Sequence, residues 1–356
     1  MKILWKGNVF NPTGIATANR EMVKALVKAG AEVQCTDPWH DGFDFNEGLE
    51  HLNNAINAKE AITIFADYPQ HWRDGHGRLI GHFLHEGTRL HQGWAEGLNQ
   101  AEKLFVPSQA TKNLFKWNGI TVPMEVINYG TNPEIYKPSE RKEDKEFAFL
   151  SVNSWTGEVG DRKGTDLLIK AFDEEFKEEE DVKLILKIGT FWEKNADYMQ
   201  SIVKILGKPN ENIIFNDRYV KETDLPKIYN DCDCFVAPTR GESFGLTIIN
   251  AMACGLPVIV TNDVNSGHMD FCKGRESVLF IDAPERIQGD LRFFAKGNLL
   301  AEPSLESLKK QMRYAYDNKQ LVKALALEDS EFIRKNFTWE RTADKIIKFL
   351  QDEKTN

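Results

Sequence analysis

Short apolar runs of strand length alternate with longer stretches in which apolar residues recur every three or four positions. Residues 2–5 read as a first strand. From Ile15 onward, Met22, Val23, Leu26 and Val27 continue one helical face that ends at Gly30, and residues 33–36 resume a strand. The pattern then predicts a short helix over 49–58, strands over 61–66 and 79–84, and a helix over 94–100. A strand over 103–107 follows, then a helix over 109–117 capped by Ser108, and a strand over 124–128. Residues 37–45 and 68–78 are polar and rich in turn formers. They read as loops, the second one over the ligand cleft. Strand, loop, helix, strand is the repeating unit of a doubly wound parallel sheet, which binds ligands at the carboxyl ends of its strands.

The rhythm breaks at residues 133–146, PEIYKPSERKEDKE, a charged, proline-containing stretch without periodicity. It divides the chain into domains over 1–138 and 139–337. Strands are then predicted over 147–152, 182–188, 212–215, 234–237, 258–260 and 278–281. Helices are predicted over 165–176, 196–206, 222–229 and 244–253. The end is helical, over 305–316, 321–335 and a last amphipathic helix with Thr338 as its N-cap.

Composition narrows the classes. A chain of 356 residues, 41% hydrophobic and 28% charged, is long enough for two globular domains. No run approaches the roughly 18 apolar residues of a membrane span, and MKILWKGNVF lacks the apolar core of a signal peptide. A net charge of -9 argues against bulk nucleic-acid binding. The five cysteines include Cys232 and Cys234 in a C-x-C at the start of an apolar strand. They read as buried thiols in a reducing cytoplasm. Seven of the eight histidines precede residue 92 without metal-ligand spacing. His85 stands apart because it follows directly on a predicted strand.

The candidate chemistry gathers in residues 234–261, CFVAPTRGESFGLTIINAMACGLPVIVT: strand, loop, helix, strand. The helix start offers unpaired backbone N–H groups and partial positive charge to a phosphate, and Gly245 admits a ligand close to the backbone. Glu242, just upstream, can accept hydrogen bonds from sugar hydroxyls. The plainer alternative is an ordinary turn with Ser243 as N-cap. A second group, Arg162-Lys163-Gly164, precedes the helix predicted from 165. The negative charge of a phosphate ligand can be neutralised either by a metal ion or by fixed cations with a helix terminus. Asp231 and Asp233 have metal-ligand spacing but read as a helix end running into a buried strand, so Lys163 is the favoured partner. Adjacent residues of an extended loop point apart, which sets Arg162 away from Lys163.

GESFGLTIINAM followed by ACGLPVIV resembles the donor-binding signature of retaining glycosyltransferases of family four, the glycosyl transferases group 1. The resemblance implies an α/β GT-B fold, two facing Rossmann-like domains with a cleft between them. The second domain would bind the donor, the first would present most of the acceptor, and a final helix at about 338–356 would pack back on the first. Glu242 matches the family's sugar-contacting acid, and Ser243, Phe244, Gly245 and Leu246 match the backbone that holds the distal phosphate. The family's second glutamate, which holds the ribose, is replaced by Asn250, a neutral group with one acceptor oxygen and an NH2. Lys163-Gly164 matches the diphosphate-binding pair. The family's further arginine is absent from Asn153-Ser154-Trp155, and Arg162 is its candidate substitute. Gly14 matches the glycine of the first loop, and His85 matches a histidine beside the donor sugar.

The resemblance therefore implies a retaining, metal-independent hexosyltransferase in which Glu242, Lys163 and His85 carry catalysis, with no cofactor. Its donor would be a nucleoside-diphosphate sugar, its acceptor a glycan, a lipid-linked glycan or a small molecule. Loops at 189–191 and 218–220 would select the base. The location would be the cytoplasm or the membrane periphery. The competing classes are a two-domain binding protein without a reaction, and a nucleotide-sugar hydrolase or epimerase on the same fold.

Overall fold

The computed structural model describes residues 1–36, 49, 56–57, 59–72, 78–140, 146–155, 157, 160–176, 180–189 and 197–352. The loop expected over 37–45, residues 50–55 and 58 of the helix expected over 49–58, and residues 190–191 of the base-selecting loop lie outside them. The chain divides into two compact units, Met1–Gly130 with Phe337–Asn356, and Thr131–Asn336.

In the first unit the elements run β1 (Lys2–Gly7), α1 (Gly14–Lys28), β2 (Glu32–Thr36), β3 (Ile62–Ala66), β4 (Arg78–His82), α2 (Trp94–Leu98), β5 (Lys103–Val106), α3 (Gln109–Trp117) and β6 (Met124–Val126). The strands form one parallel sheet in the order β2-β1-β3-β4-β5-β6. A parallel sheet is covered on both faces, so its central strands are largely apolar; Ile3, Trp5, Ile64, Ile80 and Leu104 are fully buried. Thr13 caps α1 by accepting from the Ala16 N–H at 3.3 Å, and Ser108 caps α3 by accepting from the Thr111 N–H at 3.2 Å. Of the stretch expected as a loop over 68–78, residues 73–77 lie outside the described residues, and residues 68–72 join the fold. Pro69–His71 form a 3-10 turn, and the buried Trp72 donates its indole N–H to the Asp67 carbonyl at 2.9 Å.

The second unit contains β7 (Phe147–Asn153), α4 (Thr165–Glu175), β8 (Val182–Ile188), α5 (Tyr198–Leu206), β9 (Ile213–Asn216), α6 (Leu225–Asn230), β10 (Cys234–Ala237), α7 (Leu246–Ala253), β11 (Val258–Thr261), α8 (Met269–Cys272) and β12 (Val278–Ile281). After these come β13 (Glu285–Gln288), β14 (Leu299–Glu302), α9 (Leu305–Asp317) and α10 (Lys319–Asn336). Its parallel sheet has the order β12-β11-β10-β7-β8-β9. The chain winds outward from β7 in one direction, then returns to the centre and winds outward from β10 in the other. The neighbours β7 and β10 therefore mark the topological switch point, where such sheets leave a crevice at the carboxyl ends of the strands. Phe149, Leu168, Phe172, Leu184 and Val236 belong to one core cluster beside this sheet. The antiparallel β13–β14 hairpin was not predicted, because its four-residue strands carry no clear alternation.

The last helix, α11 (Trp339–Gln351), belongs to the first unit. Thr338 caps it by accepting from the Arg341 N–H at 3.3 Å, and Thr342 donates to the Asn128 carbonyl at 2.8 Å. At its far end Arg78 donates to the Leu350 carbonyl at 3.1 Å, and Lys103 donates to the carbonyls of Phe349 and Asp352. Cations at a helix C-terminus satisfy carbonyls that have no intrahelical partner.

Candidate active site

The loop between β10 and α7 leaves the sheet beside the switch point. α7 begins at Leu246, not at Phe244, and its N-cap is Gly245 in a left-handed conformation (φ +100°) rather than Ser243. Packing explains the delay. The Phe244 ring is buried against Phe271, at 5.2 Å between centroids. The backbone of Ser243 lies so close to Gly267 that a Cβ there would sit 2.0 Å from the Ser243 carbonyl oxygen. The chain is drawn inward at these residues and turns into the helix only after them. Ile248 and Ile249 donate their N–H groups to the Gly245 carbonyl. The N–H groups of Leu246 and Thr247, one turn earlier, have no intrahelical acceptor, and they mark the positive end of the helix. Phe244 thus supplies packing through its side chain.

Glu242 is 9% exposed, directly before this helix. The Lys163 ammonium forms a short ion pair with its Oε1, and Arg162 Nη1 lies 3.6 Å from the same oxygen. Arg162 Nη1 also donates to the Gly241 carbonyl at 2.7 Å. The two cations converge, contrary to the expectation that they point apart, because residues 161–164 form a turn and not an extended strand. Asp161 closes that turn by accepting from the N–H of Lys163 at 3.0 Å and of Thr165 at 3.1 Å. Gly164 makes the turn possible: its φ is +68°, and a Cβ there would lie 2.0 Å from the Pro238 carbonyl oxygen. Burial opposes ionisation of Glu242, but Lys163 and then Arg162 outweigh it and hold the carboxyl below its ordinary range.

Sequence reasoning missed two neighbours. Arg240 is 3% exposed, and its guanidinium reaches Glu302, Asp166 and the Asp161 carbonyl. His268 is fully buried, with Nε2 2.8 Å from the Thr261 carbonyl. That acceptor fixes the hydrogen on Nε2, and burial pushes the imidazole pKa down. The adjacent Gly267 N–H donates to the Glu242 carbonyl at 2.6 Å, so this loop fixes the backbone of the acid. A buried arginine or histidine in an irregular loop has no periodic signal. The only clue to Arg240 was a charge between the apolar run 234–238 and the glutamate at 242.

The remaining predicted residues divide between the units. Asn250 lies on α7 and accepts from the buried Thr131 hydroxyl through Oδ1 at 2.7 Å. The discounted Asp233 accepts from the Ala148 N–H at 2.7 Å and so serves the sheet. In the first unit Gly14 is the first residue of α1, and a Cβ there would meet nothing within 4 Å, so packing does not require glycine. His85 follows β4 and is nearly buried, its ring edge-on to Trp94 at 5.1 Å and 5.9 Å from His91. All five cysteines are buried and none forms a disulfide, and no described helix is long and apolar enough to cross a membrane.

Two parallel α/β sheets, one with charged groups at its switch point, define the GT-B class, and solved structures agree. Sucrose-phosphate synthase from Thermosynechococcus elongatus superposes with a TM-score of 0.74 at 16% identity, covering 99% of this chain and 98% of that one. Anabaena HepE, solved with UDP and glucose, superposes with a TM-score of 0.73 at 18% identity, covering 98% and 99%. The sequence profile of the glycosyl transferases group 1 matches residues 132–326, and the chain belongs to that family. Mannosylfructose-phosphate synthase of Agrobacterium fabrum is 28% identical over 203 residues, 55% of this chain and 39% of its own length. The chain spans less than half the length of this and the next two curated relatives.

Proposed function

We propose that the chain transfers a hexose from a nucleoside-diphosphate sugar to an acceptor hydroxyl, without a metal ion and with retention at the anomeric carbon. The observation that carries this reading is the meeting of Lys163, Arg162 and Glu242 beside the opening turn of α7, at the switch point of the second sheet. The diphosphate binds to Lys163, Arg162 and the first amides of α7. These groups oppose the charge that develops on the leaving oxygen, where preorganised donors contribute most. Lys163 is paired with Glu242 here, so an arriving diphosphate shares the ammonium and leaves the carboxylate able to accept from sugar hydroxyls. The acceptor attacks from the leaving-group face, and the departing phosphate oxygen takes its proton. Retention is the outcome the family resemblance implies, and Gly14 and His85 keep the roles it assigns them.

Group 1 membership and the UDP bound by HepE support a nucleotide-sugar donor. Five buried thiols, none in a disulfide, support a reducing compartment, the cytoplasm. The acceptor is a glycan, a lipid-linked glycan or a small molecule. Incubation with UDP-, GDP- and ADP-sugars, with and without candidate acceptors, tests the reading. Nucleoside diphosphate released with an acceptor, together with a glycosylated product, supports transfer. Release at the same rate without any acceptor means hydrolysis, and binding without product means a receptor. Either result defeats the proposal.

A further inference from the structure

Arg240 makes contacts at both ends. Its backbone N–H donates to the Arg162 carbonyl at 2.7 Å, and its own carbonyl accepts from the Ala301 N–H at 2.9 Å. Its side chain forms a two-pronged fork on Glu302, with Nε to Oε2 at 2.7 Å and Nη2 to Oε1 at 2.9 Å. Nη1 turns the other way, to the Asp161 carbonyl at 2.6 Å and Asp166 Oδ1 at 3.0 Å. Asp161 and Asp166 both shape the turn that carries the cations. Asp161 accepts from the Lys163 and Thr165 N–H groups, and Asp166 accepts from the Gly160 N–H at 2.8 Å. One buried guanidinium therefore joins the 160–166 turn to the β10–α7 loop and both to β14. The hairpin is tied in a second time by Arg286, which donates to Asp263 at 2.7 Å in the loop after β11. The two loops that hold the Glu242 backbone each have an ion pair to the same hairpin.

We infer that Arg240 is a positioning residue, which sets where Lys163 and Arg162 meet Glu242 by clamping their turn between β10 and the β13–β14 hairpin. Only a planar guanidinium has the geometry: a fork on one carboxylate with a further N–H directed to a backbone carbonyl and a second acid. A lysine keeps the charge and loses the fork. The consequence for donor binding rests on the function proposed above; the consequence for the position of Lys163 does not.

The test separates the two. Wild-type protein, R240K, E302Q and I202A are trace-labelled with acetic anhydride. Acetylation of Lys163 is read by mass spectrometry against the exposed Lys319 of the same chain. I202A opens a cavity in the core of the same unit, and Ile202 itself makes none of the clamp's hydrogen bonds. It measures what general loosening does to the label. Lys163 is shielded in the wild type by its pairing with Glu242. Its labelling is expected to rise at least fivefold in R240K and E302Q, and to change less than twofold in I202A. E302Q decides the matter if R240K does not fold. Equal labelling in the clamp variants and I202A, or no rise at all, would mean that Arg240 only stabilises the domain, and the inference falls. In parallel, calorimetry with UDP is expected to show at least tenfold weaker binding in R240K. If the wild type binds no nucleoside diphosphate, the proposed function fails, and the labelling still decides the role of Arg240.

Discussion

Gly164 approaches Pro238 so closely that a Cβ would lie 2.0 Å from the Pro238 carbonyl oxygen, and its φ of +68° is one that other residues adopt at a cost. This contact seats the turn bearing Arg162 and Lys163 on the end of β10. G164A combines a backbone clash with a strained conformation and should destabilise the second unit by about 1–3 kcal/mol. Urea unfolding checks the stability. A drop in nucleotide affinity in buffer, where the variant is still folded, checks the displacement of the turn. Wild-type stability and affinity would show that the turn can be seated another way.

Lys163 and Glu242 are predicted to be the costliest single losses. Each supplies a charge-assisted hydrogen bond worth about 1.5–3 kcal/mol. K163A and E242A should each slow transfer at least tenfold, with the circular dichroism spectrum unchanged. K163A should also raise the pKa of Glu242, because Lys163 is the larger of the opposite charges that hold it down against burial. Near-wild-type turnover in both variants would refute their assignment.

Asn250 accepts from Thr131 through its oxygen, which keeps one further lone pair, and it carries no charge for a ribose hydroxyl. A carboxylate can accept from Thr131 and from a ribose hydroxyl together. N250E is therefore expected to tighten a sugar nucleotide in calorimetry. Looser binding by N250E would identify Asn250 as an adapted contact that needs its N–H donor.

His82 makes the first unit sensitive to acid. It is buried, with Nδ1 3.0 Å from the Phe105 carbonyl and Nε2 2.8 Å from the Tyr129 hydroxyl. Nδ1 therefore carries the hydrogen, and Nε2 accepts from the tyrosine. Burial pushes its pKa down from 6.5 to about 4. Between those values the unfolded chain binds a proton that the folded chain refuses, so stability falls as pH falls from 6.5 towards 4. At about 1.4 kcal/mol per tenfold in proton affinity, the loss approaches 3 kcal/mol. Urea midpoints across this range should decline in the wild type more steeply than in H82N. Parallel slopes would show that other groups govern the acid response.

Much of this molecule is legible residue by residue. Ser108 and Thr338 announce their helices because a cap is a contact across three residues. The βα alternation is visible because a strand buried on both faces is largely apolar. GESFGLTIINAM marks the acid and the helix behind it, since both lie in one continuous stretch. Helix α7 nevertheless starts two residues later than periodicity suggests. Phe244 has helical spacing, but its ring is claimed by Phe271, in a segment that comes back from beyond β11.

The sequence by itself determined the parts: which segments become strands or helices, and which acid and lysine stand as candidates for holding a sugar diphosphate. Only the tertiary structure decided that these groups meet. Lys163 and Glu242 are 79 residues apart, and their contact exists because β7 and β10 are neighbours in the sheet. The clamp through Arg240 likewise needs a hairpin 62 residues further on. Local patterns report how a segment buries its own side chains. Strand order, and the close backbone approaches at Gly164 and Gly267, come from packing those segments on one another, and no short window of sequence contains that information.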